Sequence, residues 1–142
     1  MTVKYTKVMI FGTFDGLHLG HLNLFKQARG LAKNSFLIVS VARDINVKKI
    51  KKIKTDFTER QRMNLIKKTK LADKVVLGGL NDHVAHILKE KPEIIALGYD
   101  QRNYVKNLKA DLKKKGLLVT IKRLKPYKAH IYKNHLLKNA KN

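Results

Sequence analysis

Directly after an apolar run the chain reads Gly12-Thr13-Phe14-Asp15-Gly16-Leu17-His18-Leu19-Gly20-His21. Glycines let a backbone turn sharply and come close to a ligand. A helix that opens after the turn aims its free N–H groups and its positive dipole end at the turn, which makes a ready anion site. His18 and His21 stand three residues apart, so one helical turn puts both imidazoles on a shared face. Gly20 between them keeps a side chain out of the way of a phosphate. Two imidazoles so placed suit the gripping of a polyphosphate, because fixed donors can meet the charge that builds on its oxygens during transfer. His83, His86, His130 and His135 show that histidine is not scarce here. The weight therefore rests on the compound pattern of turn, glycine and paired histidines.

Other groups of residues follow later apolar runs. Lys48, Lys49, Lys51, Lys52 and Lys54 come after the second run. An anionic acceptor attacking an anionic triphosphate needs its repulsion cancelled, and lysines on a mobile loop can do that and close over a site. Gly98-Tyr99-Asp100-Gln101 follows the fourth run. Asp100 can accept from an exocyclic amine or a hydroxyl, or it can cap a helix behind it. His83 and His86 share a spacing that could bind a metal, but no third ligand is near in sequence, so they read as part of a surface helix. The chain contains neither a P-loop pattern nor a G-x-G-x-x-G fingerprint. Serine occurs only as Ser35 and Ser40, which argues against a serine hydrolase.

These residues need elements to hold them. Lys7–Gly12 reads as a buried strand and Leu19–Lys33 as a helix, with Leu22, Leu24, Phe25, Ala28 and Leu31 at helical spacing. Phe36–Ala42 is a second strand, and Arg43–Phe57, polar and rich in lysine, is expected to be a loop. Thr58 followed by Gln61 forms a capping-box pattern opening a helix to about Lys68. Lys74–Leu77 is a third strand, Asp82 caps a helix to about Glu90, and Glu93–Leu97 is a fourth strand. Arg102–Lys115 is expected to be helical with Gly116 as its C-terminal cap, Leu117–Ile121 a fifth strand, and the tail from Ile131 a last short helix. Strands that are apolar throughout and alternate with helices imply a parallel sheet covered on both faces. The expected fold is one α/β, Rossmann-like domain over residues 1–142, with five parallel strands. Ligands of such sheets bind beyond the C-terminal strand ends, where the strand order reverses.

Composition agrees with this picture. The 142 residues are enough for one domain with a real core. With no cysteine, disulfides, thiolate nucleophiles and cysteine zinc sites are excluded. The longest apolar stretch, Phe36–Ala42, is far below the roughly 20 residues of a membrane-spanning helix, and the N-terminus has no apolar signal core. A soluble, cytoplasmic protein with no membrane partner is expected. The net charge of +22 predicts attraction to nucleotides, nucleic acid or other polyanions. Most of it is lysine spread along the whole chain, which is also how a solvated lysine-rich surface looks.

GTFD followed by HxGH resembles the cytidylyltransferase-like nucleotidyltransferases. The resemblance extends over nearly the whole chain. Val41-Ala42-Arg43-Asp44 with Val47-Lys48-Lys49-Ile50-Lys51, and Leu97-Gly98-Tyr99-Asp100-Gln101, are most similar to archaeal-type FAD synthases. Bacterial glycerol-3-phosphate cytidylyltransferase is a related pattern. The resemblance implies transfer of a nucleotidyl group from ATP or CTP to a small phosphorylated acceptor, with release of pyrophosphate. FMN with ATP is the first choice, and glycerol 3-phosphate with CTP the second.

By the same resemblance, His18 and His21 would contact the triphosphate and stabilise the five-coordinate α-phosphorus. Gly12, Thr13 and Phe14 would approach its phosphates, with Gly20 leaving them room, and Asp15 would position the acceptor or a metal. Lys49 and Lys51 match phosphate-contacting lysines. Glu59 and Arg62 match an E-x-x-R pattern in which Arg62 binds the leaving pyrophosphate or braces the lysine loop, with Arg60 as a substitute. Gly98 and Asp100 would recognise base and sugar, and Arg123 matches a basic residue after the fifth strand. Relatives carry Ser/Thr at the start of the last helix; here Tyr132-Lys133-Asn134-His135 stands instead, leaving Asn134 or Lys133 to meet phosphate. Mg²⁺ would arrive with the triphosphate, and no protein residue is assigned as a metal ligand. A flat acceptor ring would need apolar walls, for which Phe14, Tyr99, Tyr104 and Tyr127 are candidates. A homodimer is compatible with the family. The rival from another class is a nucleic-acid-binding module on the same scaffold, motivated by the charge and the altered C-terminal motif.

Overall fold

The structure is a computed structural model that describes residues 3–52, 54–99, 101 and 107–126, with Lys51 described in its backbone alone. Its strands are β1 (Thr6–Gly12), β2 (Ser35–Val41), β3 (Lys74–Leu77), β4 (Ile94–Leu97) and β5 (Thr120–Arg123). Its helices are α1 (Leu19–Arg29), α2 (Asp44–Lys51), α3 (Glu59–Thr69), α4 (His83–Glu90) and α5 (Leu108–Lys114). The strands form one sheet in the order β3-β2-β1-β4-β5, and every pairing is parallel. The expected α/β class and five-stranded parallel sheet are what the chain adopts.

The central strands β1, β2 and β4 are largely apolar because both sheet faces are covered there. Val8, Ile10, Leu37 and Val39 lie in a cluster with Phe25 and Ala28 of α1 and Ile66 of α3. Met9, Ile38, Ile95 and Leu97 point the other way and meet Ile87 of α4 and Leu108 and Leu112 of α5. Each fully buried aliphatic chain contributes about 1.5–3 kcal/mol, which is what fixes these helices over the sheet. The register sets Gly12 beside Val41 and Val41 beside Leu77, so three strand ends align. The chain runs outward from β1 to β3, then returns to lay β4 against the other side of β1. This reversal lies beyond Gly12 and Leu97, the place where ligands of such sheets bind.

Three expected elements differ. Arg43–Phe57 is not a continuous loop, since α2 occupies Asp44–Lys51. Polar composition hid it, yet lysine is a good helix former. Val47, 4% exposed, anchors one face while Ile45 and Ile50 face outward. The first helix ends at Arg29, because the Gly30 N–H caps it by donating to the carbonyls of Lys26 and Gln27. The fifth strand is β5 at Thr120–Arg123, later than expected. Gly116, at φ +91°, ends α5 with the Leu117 N–H donating back to the Leu112 carbonyl, so a Schellman turn consumes residues that read as strand. The expected start of that helix at Arg102 and the helix from Ile131 lie outside the described residues.

Candidate active site

The turn between β1 and α1 is shaped by one aromatic ring. Phe14 takes a left-handed backbone, φ 53°, which is strained for a bulky residue. Its ring folds back over Gly12, where any added Cβ would come within 2.6–3.0 Å of it. The ring is 4% exposed and meets His21 edge-on at 5.4 Å and Phe25 at 5.4 Å. Phe14 is therefore a core prop beneath His21, and its side chain does not form a wall for an acceptor ring as expected. Gly12 is required by this prop.

His18 is the N-cap of α1, extended at φ −134°, ψ 178°. Its Nδ1 accepts from the Gly20 N–H at 3.0 Å. The His21 Nδ1 accepts in turn from the His18 N–H at 3.3 Å. This reciprocal pair is a capping box built from two imidazoles where hydroxyl and carboxyl groups usually serve. A backbone N–H can only donate, so both Nδ1 atoms must be unprotonated and each neutral ring carries its proton on Nε2. The rings stack with centroids 3.9 Å apart and planes 29° apart. Burial pushes the His21 pKa down to about 4, and the repulsion between its protonated form and a protonated His18 works in the same direction. His21 is thus neutral at neutral pH, with its Nε2–H as donor. Gly20 has a different reason from the one expected. A Cβ there would sit 2.8 Å from Cε1 of His18, so it is the ring that needs the space.

The lysine segment is tied to this turn by acidic residues and one arginine. Arg62 is wholly buried. It donates from Nε to the Phe57 carbonyl at 3.2 Å, from one terminal nitrogen to the Thr13 carbonyl at 2.7 Å, and from the other to Asp44 Oδ1 at 2.6 Å. Its geometry is that of a brace, and a guanidinium with no exposure does not reach a departing pyrophosphate. Asp44 Oδ2 accepts from the Glu59 N–H at 3.1 Å and Glu59 Oε1 accepts from the Asp44 N–H at 2.9 Å. Each carboxylate thereby caps the other's helix. Burial alone would raise the Asp44 pKa, but the bond from Arg62 and that backbone N–H outweigh it and hold the carboxyl below its usual range. Asp15 accepts from the N–H groups of Asp56 at 2.7 Å and Phe57 at 2.8 Å. Both its oxygens face a loop, in place of the acceptor or metal expected there. Lys48 and Lys49 on α2 are exposed, as are Lys52 and Lys54.

Across the crevice, Gln101 ties two strand ends together. Its Nε2 donates to the Phe11 carbonyl at 2.7 Å and its Oε1 accepts from the Gly98 N–H at 2.8 Å. Arg123, the last residue of β5 and not a residue beyond it, donates to the carbonyls of Gly98 at 2.9 Å and Gln101 at 2.8 Å. It braces the 98–101 turn. Asp100, Lys133, Asn134, Tyr104 and Tyr127 lie outside the described residues, as does the Lys51 side chain.

A family model described as cytidylyltransferase-like matches residues 9–136. This chain belongs to the cytidylyltransferase-like family. It is accordingly a nucleotidyltransferase. An FAD synthase of Korarchaeum cryptofilum is 44% identical over 119 residues, 83% of this chain and 80% of that one. An FAD synthase of Methanosarcina barkeri is 40% identical over 119 residues, 84% of this chain and 83% of the relative. A solved structure from Thermoplasma volcanium, titled a lipopolysaccharide core biosynthesis protein, superposes with a TM-score of 0.79 at 36% identity. It covers 86% of this chain and 98% of that one.

In this nucleotidyltransferase the strand ends bring His18, His21, Gly12, Thr13, Asp15, Gly98 and the braces Arg62 and Arg123 to one rim. Sequence reasoning missed Asp44 and Gln101 as organisers. Both stood inside quoted motifs, but Asp44 bonds the Arg62 guanidinium and the Glu59 N–H, 18 and 15 residues on, and Gln101 reaches the Phe11 carbonyl 90 residues back. It also misread α4, whose histidines face inward. His86 Nε2 lies 2.8 Å from the Ser40 Oγ, and His83 packs against the Phe11 ring at 5.1 Å. Among the described residues no cluster of three or more His, Cys, Asp or Glu could hold a metal, and no helix is long and apolar enough to cross a membrane.

Proposed function

We propose that this nucleotidyltransferase is an FMN adenylyltransferase, making FAD from ATP and FMN. The observation that supports the chemistry is the histidine capping box, which holds both imidazoles at the mouth of α1 with the proton on Nε2. A phosphate oxygen of FMN attacks the α-phosphorus of ATP in line. The bond from that phosphorus to the bridging oxygen breaks and pyrophosphate leaves. Charge spreads over the non-bridging oxygens, where fixed donors and the N-terminal end of a helix stabilise it most. Thr13 and Gly12 supply backbone to phosphate, and Lys49 and Lys51 offset repulsion between the two anions. Mg²⁺ comes bound to ATP as part of the substrate. The choice of ATP and FMN is supported by the archaeal relatives named FAD synthase.

Purified protein given MgATP and FMN is expected to form FAD with an equal amount of pyrophosphate. His18→Ala and His21→Ala should each lower kcat/KM by about 10²–10³-fold, the usual effect of losing one charge-stabilising donor. Wild-type rates in both variants, or pyrophosphate released only with CTP and glycerol 3-phosphate, would overturn the assignment.

A further inference from the structure

The segment that carries Lys48, Lys49, Lys51, Lys52 and Lys54 is fastened to the histidine turn at both ends. At its start, Asp44 bonds Arg62, and Arg62 bonds the Thr13 carbonyl. At its end, the N–H groups of Asp56 and Phe57 both donate to the Asp15 carboxylate. The two anchors differ in kind. Arg62 is wholly buried and shared by three elements of the fold, so it belongs to the fold's stability. Asp15 lies in the partly exposed turn three residues before His18, and the bonds it accepts are exposed ones. Between the anchors Lys48, Lys49, Lys52 and Lys54 are exposed, and among the described residues these four form no ion pair.

From this we infer that Asp15 is a positioning residue: its carboxylate latches the end of the lysine segment to the histidine turn and fixes where the ammonium groups stand relative to the imidazoles. Electrostatic help to a reacting phosphate depends on charges already being in place. A displacement of about 1 Å can reduce rate by about a hundredfold. Thr55 reinforces the end of the segment by donating to Asp44 at 3.4 Å, whereas Asp15 connects it directly to the turn that bears the histidines. The inference rests on the proposed reaction for its kinetic consequence, and on geometry alone for the latch itself.

Two measurements test it. Limited trypsin digestion of the full chain without substrate reads the latch. Asp15→Ala should be cut within 48–54 at least about tenfold faster than wild type, with cutting elsewhere little changed, as expected of local opening. Cutting at the wild-type rate overturns the latch whatever the enzyme's acceptor is. Kinetics read the positioning. Asp15→Ala should lower kcat/KM by about tenfold or more, and Lys49→Ala should then cause a smaller fold-loss in the Asp15→Ala background than in wild type. Equal fold-losses in the two backgrounds overturn the positioning role, because a merely structural residue would act independently of Lys49. Should Asp15→Ala fail to fold, Asp15→Asn, which retains one acceptor oxygen, is held to the same criteria. Faster cutting in a protein whose wild type makes no FAD would sustain the latch and refute the proposed reaction instead.

Discussion

At the scale of single residues, the site depends on side chains whose roles are set by what touches them. Gly20 is the sharpest case, since a methyl group there would lie 2.8–3.0 Å from the His18 ring. The ring must turn away and its bond from the Gly20 N–H is lost. Gly20→Ala is therefore expected to lower kcat/KM by about tenfold or more, with the helix retained by circular dichroism. Unchanged kinetics would mean that His18 does not act from its capping position. The histidine pair was legible because its pattern is local. Asp15 was legible as important but not in its role, and for Arg62 the brace was one of two roles left open, with its partners not legible. Asp15 bonds backbone groups 41 and 42 residues away, and Arg62 reaches a carbonyl 49 residues away. No motif encodes such partners.

At the scale of elements, α2 and α3 begin face to face, each opened by a carboxylate from the other and pinned by one buried guanidinium. Lysine cannot reproduce that planar fork. Arg62→Lys is expected to destabilise the protein by about 1–3 kcal/mol, as when a buried hydrogen-bonding group is left without its partner. Chemical denaturation should show it as a lower midpoint with an unchanged slope. A shift under about 0.5 kcal/mol, ordinary for a surface change, would show that the brace is dispensable. Strand and helix alternation was readable from periodicity, and the α3 start at Thr58, read from its capping-box pattern with Gln61, stands where that pattern put it. Helix α2 was not readable, because one buried side chain, Val47, anchors it and neighbours from α3 complete its first turn. The β5 start escaped for a similar reason, since a turn claimed residues with strand-like composition.

At the scale of the whole molecule, acid should unfold this protein early. Burial holds His21 and His83 at about 4 in the folded chain against an ordinary 6.5, with like charge from His18 and His86 respectively adding to it. Burial also lowers His86, assisted by Lys89 and Arg43 against an opposing pull from Glu90. Between these values the unfolded chain binds protons that the folded chain refuses. Stability is full above about pH 6.5 and falls as pH drops toward 4, with a slope of roughly two protons. Below that, Asp44 adds to the loss, because its folded carboxyl titrates under its ordinary value of 3.8. Urea midpoints measured from pH 7.5 to 4 should trace this fall, and a flat profile would contradict the burial of the histidines.

The imidazole capping box carries one more consequence, for substrate choice. Each inner nitrogen is occupied by a main-chain hydrogen, so the outer nitrogen of each ring gives hydrogen and has no lone pair to offer. Neither histidine can strip a proton from an incoming nucleophile without giving up its bond to the main chain. Sugar hydroxyls, which need a base before they attack, are poor customers for such a pair, whereas a phosphate monoester arrives already ionised.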